Sequence, residues 1–245
     1  ANSEDWVCGV SEMAAVSLLG RWEGGEVAWI GGVRRVARLG RCAVASSQYA
    51  SLARGLYAIT GGLGGLGLRA AELLAECGAC CVVLASRSGR AGRDGVDLEA
   101  HLSSASGLVQ TMAADGGDAA DTLSTFGRGM LAGVLHASGV LRDKLVRSMA
   151  ADDIGASFAP KAIAASHVCT GRAQCPLEAL TLFSSVASTL GSLGQANYAA
   201  ANAFLDALAS SCRVRATVAS SLQIPAVSGA GMGCFLCTAV RQSQR

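Results

Sequence analysis

The stretch LYAITGGLGGLGLRAAELLAECG, residues 56–78, changes character twice within 23 residues. LYAIT (56–60) is a short apolar run of strand type, bounded by glycine. LGLRAAELLAECG (66–78) carries leucine and alanine at helical spacing, is built from strong helix formers and stops at Gly78. Between them lies a glycine cluster. Glycine permits positive φ and close backbone approach, so main-chain amides and a helix N-terminus can face a pyrophosphate there. Thr60, Gly61, Gly62, Gly64, Gly65, Leu66 and Gly67 are therefore candidate cofactor-binding residues.

Outward from this unit the pattern repeats. CVVLAS (81–86), LVQTMAA (108–114), LAGVLHA (131–137), ALTLFSS (179–185) and ATVASSL (216–222) read as strands, with helical stretches between most of them. That alternation predicts an α/β fold with a doubly wound parallel sheet. The segment 89–107 is weakly patterned and reads as a loop with a poor helix. In such a sheet the end of the second strand lies near the adenosine ribose. An acid there would hold the 2′-hydroxyl of NAD, whereas an arginine accommodates a 2′-phosphate. Here the strand ends in Ser86 and Arg87, so the expected cofactor is NADPH.

Residues 1–50 differ in texture. All three tryptophans lie there, and EVAWIGGVRRVARL (26–39) has the form of a hairpin around Gly-Gly. We expect two parts, 1–50 and 51–245, the second holding the cofactor.

Bulk properties exclude some functions. The 245 residues are 51% hydrophobic and 16% charged, with net charge +2, so a sizeable core is expected and a nucleic-acid surface is not. No apolar run has the length of a membrane span, and the start lacks a signal-peptide pattern, which suggests a cytoplasmic protein. The absence of an initial methionine suggests a piece of something longer, or a processed product. The ten cysteines read as reduced thiols. The pairs Cys77/Cys80 and Cys234/Cys237 are too far apart for a zinc ribbon, so no metal is expected.

One helix raises a chemical question. In GQANYAAANAFLDALA (194–209), Tyr198 and Asn202 share one face at i and i+4. Together with TGGLGGLG (60–67), SRSG (86–89), HASGVLRD (136–143), PK (160–161), LFSSVASTLGSLGQANYAAANAFLDALA (182–209) and SLQ (221–223), this helix resembles the ketoreductase domain of modular polyketide synthases. That domain is a branch of the short-chain dehydrogenase/reductase superfamily. The resemblance covers residues 55 to 225, and residues 26–39 resemble the close of the family's structural subdomain, the rest of which is missing. The implied fold is Rossmann-like, with a truncated N-terminal remnant of that subdomain.

The resemblance implies a catalytic set. Ser185 precedes Tyr198 by 13 residues and Lys161 precedes it by 37, as in this branch, and Asn202 stands where ordinary short-chain reductases carry their lysine. Tyr198 would be the general acid, Lys161 the cation that lowers the phenol's pKa, Ser185 the partner of the substrate carbonyl, and Asn202 the residue that positions Lys161 or a water. Asp115 resembles the aspartate that contacts adenine, with Gly116 where valine is usual, and Ala137, Ser138 and Gly139 would line the nicotinamide side. Family members that make the D-configured alcohol carry LDD where this chain has LRD, which keeps Asp143. The opposite type carries a tryptophan where this chain has Leu190. The expectation is NADPH-dependent reduction of a β-ketoacyl thioester on an acyl carrier protein with a phosphopantetheine arm, beside other synthase domains, giving the D-type product. After SLQ the usual Trp-Gly is replaced by Ile224 and Pro225, and the substrate-covering helix is not found in the short tail. That departure keeps two alternatives open: a degenerate structural spacer in a synthase, or a stand-alone reductase acting on a small ketone.

Overall fold

The computed structural model describes residues 27–36, 54–91, 108–126, 131–171, 177–215 and 218–227. The chain separates into two compact units, Ala1–Ser46 and Ser47–Arg245. The expected boundary at 50/51 lies outside the described residues, as do residues 92–107 of the weakly patterned segment and Cys234 and Cys237.

In the first unit, β1 (Val27–Ile30) and β2 (Val33–Val36) pair antiparallel. Gly31 and Gly32 join them with φ of 59° and 74°. Two consecutive positive φ values are what a two-residue turn needs to match strand twist, so the Gly-Gly reading of a hairpin holds.

The second unit is a six-stranded parallel sheet. Its strands are β3 (Leu56–Thr60), β4 (Cys81–Ser86), β5 (Val109–Ala113), β6 (Leu131–His136), β7 (Ala179–Ser185) and β8 (Ala219–Ile224). Their order is β5-β4-β3-β6-β7-β8, with every neighbouring pair parallel. This is the doubly wound order, in which the chain reverses direction across the sheet between β3 and β6. The last strand lies slightly later than the sequence indicates, because pairing with β7 runs on to Ser185 opposite Ile224.

The helices are α1 (Gly65–Glu76), α2 (Ala119–Phe126), α3 (Ala151–Phe158), α4 (Ala164–Gly171), α5 (Ala187–Leu190) and α6 (Ala196–Val214). Successive strand residues point to opposite faces. Thus Tyr57 and Ile59 join Leu63, Leu68, Ala71, Leu74, Val82 and Leu84 in one core under α1. Ala58 joins Val134, Val168, Leu180, Leu182, Leu205 and Ala209 in a second core, against α4 and α6. Between α3 and α4 the chain makes a single π turn, Ala159–Ile163, which begins Ala159-Pro160 and holds Lys161. A π turn is rare and is favoured at functional positions. The sequence pattern carried no sign of it or of the short α5.

Candidate active site

The register aligns the carboxyl ends of four strands. Thr60 pairs with Ala85 on one side and His136 on the other, and Ser185 closes β7. Ligands of open parallel sheets bind beyond these ends, at the reversal point, and the expected residues gather there.

The glycine turn follows β3. Gly61 has φ of +65°, and a Cβ there would stand 2.7 Å from the Cα and N of Ser138. At Gly67 a Cβ would meet the Gly61 carbonyl at 2.5 Å. Backbone fills both spaces, so the turn tolerates no side chain at either position. Gly64 caps α1 with no side-chain bond, and the first helical turn holds no acid. The leading amides of the helix are thus left without a side-chain acceptor, the arrangement that suits an anion. Beside the turn, Leu63, Gly64, Ser86, Arg87, Ser88 and Arg90 line a cavity of about 520 Å³. Arg87 is exposed there, while Ser86 Oγ accepts the Gly89 amide at 3.1 Å and shapes the turn. Asp115 lies just past β5, on the strand next to β4, with Oδ1 accepting the Gly117 amide at 2.9 Å. The valine usual after it in the family would not fit, since a Cβ on Gly116 would meet Ala164 Cβ at 2.9 Å. An uncapped helix N-terminus, a glycine cradle and a cavity bearing two arginines fit a phosphate-rich dinucleotide.

Ala137, Ser138 and Gly139 follow β6, and the Ala137 amide donates to the Thr60 carbonyl at 2.9 Å. His136 is fully buried. Its Nε2 stands 2.9 Å from the Lys161 carbonyl, which can only accept, so Nε2 carries the proton. Nδ1 is then an acceptor, and the Thr60 hydroxyl donates to it at 2.6 Å. Thr60 therefore spends its hydroxyl hydrogen bond on His136. Burial, and secondarily the Lys161 charge, pushes the His136 pKa down to about 3. Sequence reasoning assigned His136 no role, because one histidine in an apolar strand reads as core.

Lys161 is 3% exposed, and its Nζ donates to the Phe183 carbonyl at 2.8 Å. The same Nζ lies 5.4 Å from the centroid of the Tyr198 ring. Burial lowers its pKa to about 8, against the charge of Asp206, which raises it. Ser185 is buried at the strand end, and its Oγ accepts the Ala187 amide at 3.2 Å. Asn202 is fully buried. Its Nδ2 donates to the Tyr198 carbonyl at 2.8 Å, and its Oδ1 has no partner among the described residues. Burial raises the Tyr198 pKa. Asn202 and Ser185 draw it back, and the Asp143 charge adds to the rise. The expected lowering of the phenol's pKa by Lys161 is not seen: desolvation outweighs the Asn202 and Ser185 hydrogen bonds, and the charge that acts on the phenol is that of Asp143.

Just before Tyr198, the buried Asn197 fixes the start of α6. Its Oδ1 accepts the Tyr198 amide at 2.8 Å, and its Nδ2 lies within 3.0–3.1 Å of the Arg142 and Asp153 carbonyls and Ser157 Oγ. Gln195 Nε2 donates to Asp143 Oδ2 at 3.0 Å, which brings Asp143 to the same helix end. Leu190, at the end of α5, is 54% exposed. Lys161, Ser185, Tyr198, Asn202 and Asp143 are thus gathered near the carboxyl end of β7, while Arg87 and Asp115 lie on the far side of the glycine turn.

A family model described as the KR domain matches residues 55–229. The chain belongs to the KR domain family. It is a ketoreductase domain of the polyketide synthase kind, within the short-chain dehydrogenase/reductase superfamily. It is 41% identical over 187 residues to a phenolphthiocerol/phthiocerol polyketide synthase of Mycobacterium tuberculosis, covering 74% of this chain and 10% of that protein. It is 42% identical over 174 residues to polyketide synthase GfsA of Streptomyces halstedii, covering 69% of this chain and 2% of that one. Among solved structures it resembles A-type ketoreductases from a modular polyketide synthase, with a TM-score of 0.78, 33% identity and coverage of 94% of this chain and 50% of theirs. The KR domain described here thus spans a tenth or less of these curated synthases and half of that solved ketoreductase. No helix among the described residues is long and apolar enough to cross a membrane.

Proposed function

We propose that this domain reduces the β-keto group of an acyl thioester carried on the phosphopantetheine arm of an acyl carrier protein, using NADPH, within a larger synthase. The observation that carries this reading is the convergence of Lys161, Ser185, Tyr198 and Asn202 beyond the strand ends, beside the glycine turn.

The residues fit the cofactor in an ordered way. Amides of the turn from Gly61 to Gly67 would hold the pyrophosphate, Arg87 the 2′-phosphate beside Ser86, Asp115 the adenine, and Ala137 to Gly139 the nicotinamide side. When bound, the cofactor supplies the hydride that the carbonyl carbon takes up.

The rest follows from the chain's own groups. Burial keeps the Tyr198 phenol protonated, so it can give a proton to the carbonyl oxygen. Ser185 Oγ accepts the Ala187 amide, and its own hydroxyl proton would be given to that oxygen as negative charge develops. Lys161 holds a positive charge beside the phenol, and Asn202 Oδ1, without a partner among the described residues, offers an acceptor to a water or to that lysine. Asp143, drawn to the start of α6 by Gln195, supports the D-configured product.

NADPH consumption with a β-ketoacyl thioester tests the reading, with Tyr198→Phe as control and chiral chromatography of the product. Carrier-bound thioester should be preferred over a free ketone, and D-alcohol should be formed. NADPH binding without turnover would instead point to a structural spacer, and equal use of small free ketones to a stand-alone reductase.

A further inference from the structure

Asn197 stands immediately before Tyr198 and is 3% exposed. A side-chain amide carries two N–H donors and an acceptor oxygen, and leaving them buried and unpaired is costly. Here all are used. Oδ1 accepts the Tyr198 backbone amide at 2.8 Å. Nδ2 donates to the Arg142 carbonyl and to the Asp153 carbonyl, both at 3.0 Å, and lies 3.1 Å from Ser157 Oγ. The segment after β6, helix α3 and the first turn of α6 therefore meet on one side chain. The Lys144–Asp153 ion pair at 2.8 Å closes the same contact between that segment and α3.

The Tyr198 amide needs this partner. It lies in the first turn of a helix, where backbone amides lack an intrahelical acceptor. The carbonyl four residues back, that of Gly194, accepts the Lys144 amide at 2.8 Å. Gln195 gives α6 no side-chain cap, and its Nε2 is turned to Asp143 Oδ2 at 3.0 Å. The segment that Asn197 grips at Arg142 comes three residues after Gly139. Ala137 to Gly139 are read above as lining the nicotinamide side, and Tyr198 as the proton donor. Hydride and proton would reach one carbonyl group from these two pieces of chain, and a displacement of about 1 Å between such groups can cost roughly 100-fold in rate.

We propose that Asn197 is a positioning residue of the reductase: it locks the loop that lines the nicotinamide side to the backbone of Tyr198, so that hydride and phenol address the same carbonyl. The inference rests on reading Tyr198 as the proton donor, and its bonds are tested in the full chain without substrate or NADPH. An inactive parent in which those bonds are found would sink that reading and leave the lock standing. Asn2, Asn197 and Asn202 are the chain's asparagines, and Tyr49, Tyr57 and Tyr198 its tyrosines. Nitrogen-15 labelling of these residue types gives few enough NMR signals to follow singly. Tyr198 is assigned with Tyr198→Phe, and the Asn197 side chain by its Overhauser contact to the Tyr198 amide. In the parent the Asn197 side-chain NH2 should exchange with deuterium roughly tenfold or more slowly than an unprotected amide. Exchange at the unprotected rate would overturn the proposal, whether or not any variant folds. In Asn197→Ala the Tyr198 amide should exchange roughly tenfold faster, while that of Tyr57, in β3, stays as in the parent. The same variant should lose roughly 10- to 100-fold in kcat, with the Kd for NADPH within about twofold of the parent. Faster exchange at both tyrosines with weaker NADPH binding would mark a general loosening and overturn the proposal. So would an unmoved Tyr198 amide, or an undiminished kcat.

Discussion

His136 Nε2 donates to the backbone carbonyl of Lys161 at 2.9 Å, while Nδ1 takes the Thr60 hydroxyl proton. One neutral imidazole thus fastens the end of β3 to the turn that presents the lysine. Removing it by His136→Leu leaves a buried hydroxyl and a buried carbonyl unpaired, at about 1–3 kcal/mol for each group. We expect a lower urea midpoint and a fall in kcat larger than any change in the KM for NADPH.

The same histidine contributes acid sensitivity. Its folded pKa of about 3 lies below the ordinary 6.5, so between these values the unfolded chain binds the extra proton. The stability of the neutral ring is present above pH 6.5 and is lost as pH falls from there toward 3. Urea titrations across that window should show a shallower pH slope for His136→Leu than for the parent. Equal slopes would mean that other groups carry the acid lability.

Lys161 sets activity and stability against each other. With a folded pKa of about 8 against 10.5 ordinarily, the cost of burying its charge is fully present below pH 8. That cost is relieved as pH rises through 8 toward 10.5. Lys161→Met should melt higher than the parent at neutral pH, with the difference shrinking above pH 8, and should be inactive throughout. A variant that melts lower at pH 7 would show that the charge stabilises the fold.

Gly61 and Gly64 separate the fold of the phosphate turn from its use. Gly61→Ala puts a methyl 2.7 Å from Ser138 backbone at a φ of +65°, so a loss of about 1–3 kcal/mol or more is expected in thermal unfolding. At the exposed Gly64, whose φ is −87°, the nearest atom to a Cβ is the Gly61 carbonyl at 3.2 Å. Gly64→Ala should cost little stability and weaken NADPH binding, as read by fluorescence titration.

Arg87 lines the cavity beside that turn. If it holds a 2′-phosphate, Arg87→Ala removes a charge-assisted bond of about 1.5–3 kcal/mol, a ~10–100-fold loss. The KM for NADPH should rise by that factor and the KM for NADH should barely change. A parallel rise in both would assign Arg87 to the fold.

What the sequence made legible, and what it hid, follows from the range of the interactions. The strands at 56–60, 81–86 and 179–185 fall where apolar runs between glycines and helices put them, because burial on both faces leaves a continuous local signal. That Tyr198 and Asn202 share one helix face was legible from spacing; the roles expected of them, as of Lys161 and Ser185, came from family resemblance. The bonds that His136, Asn197 and Asp206 make across the fold were not legible, since those partners lie 15 to 76 residues away. The direction of the Tyr198 shift was misjudged for the same reason: a lysine is visible in a sequence, whereas the desolvation that outweighs the Asn202 and Ser185 hydrogen bonds is a property of the packed molecule.

The π turn at Ala159–Ile163 makes the site sensitive to chain length as well as to residue identity. A regular helix over this span would need one residue fewer per turn bond, and each residue gained or lost rotates all that follows by about 100°. A single-codon deletion there, leaving Lys161 itself in place, would swing the ammonium away from Tyr198 and would be as damaging as losing the lysine. Insertions and deletions, usually tolerated where chains run over a surface, would at this point be selected against as strictly as changes of the reacting groups themselves.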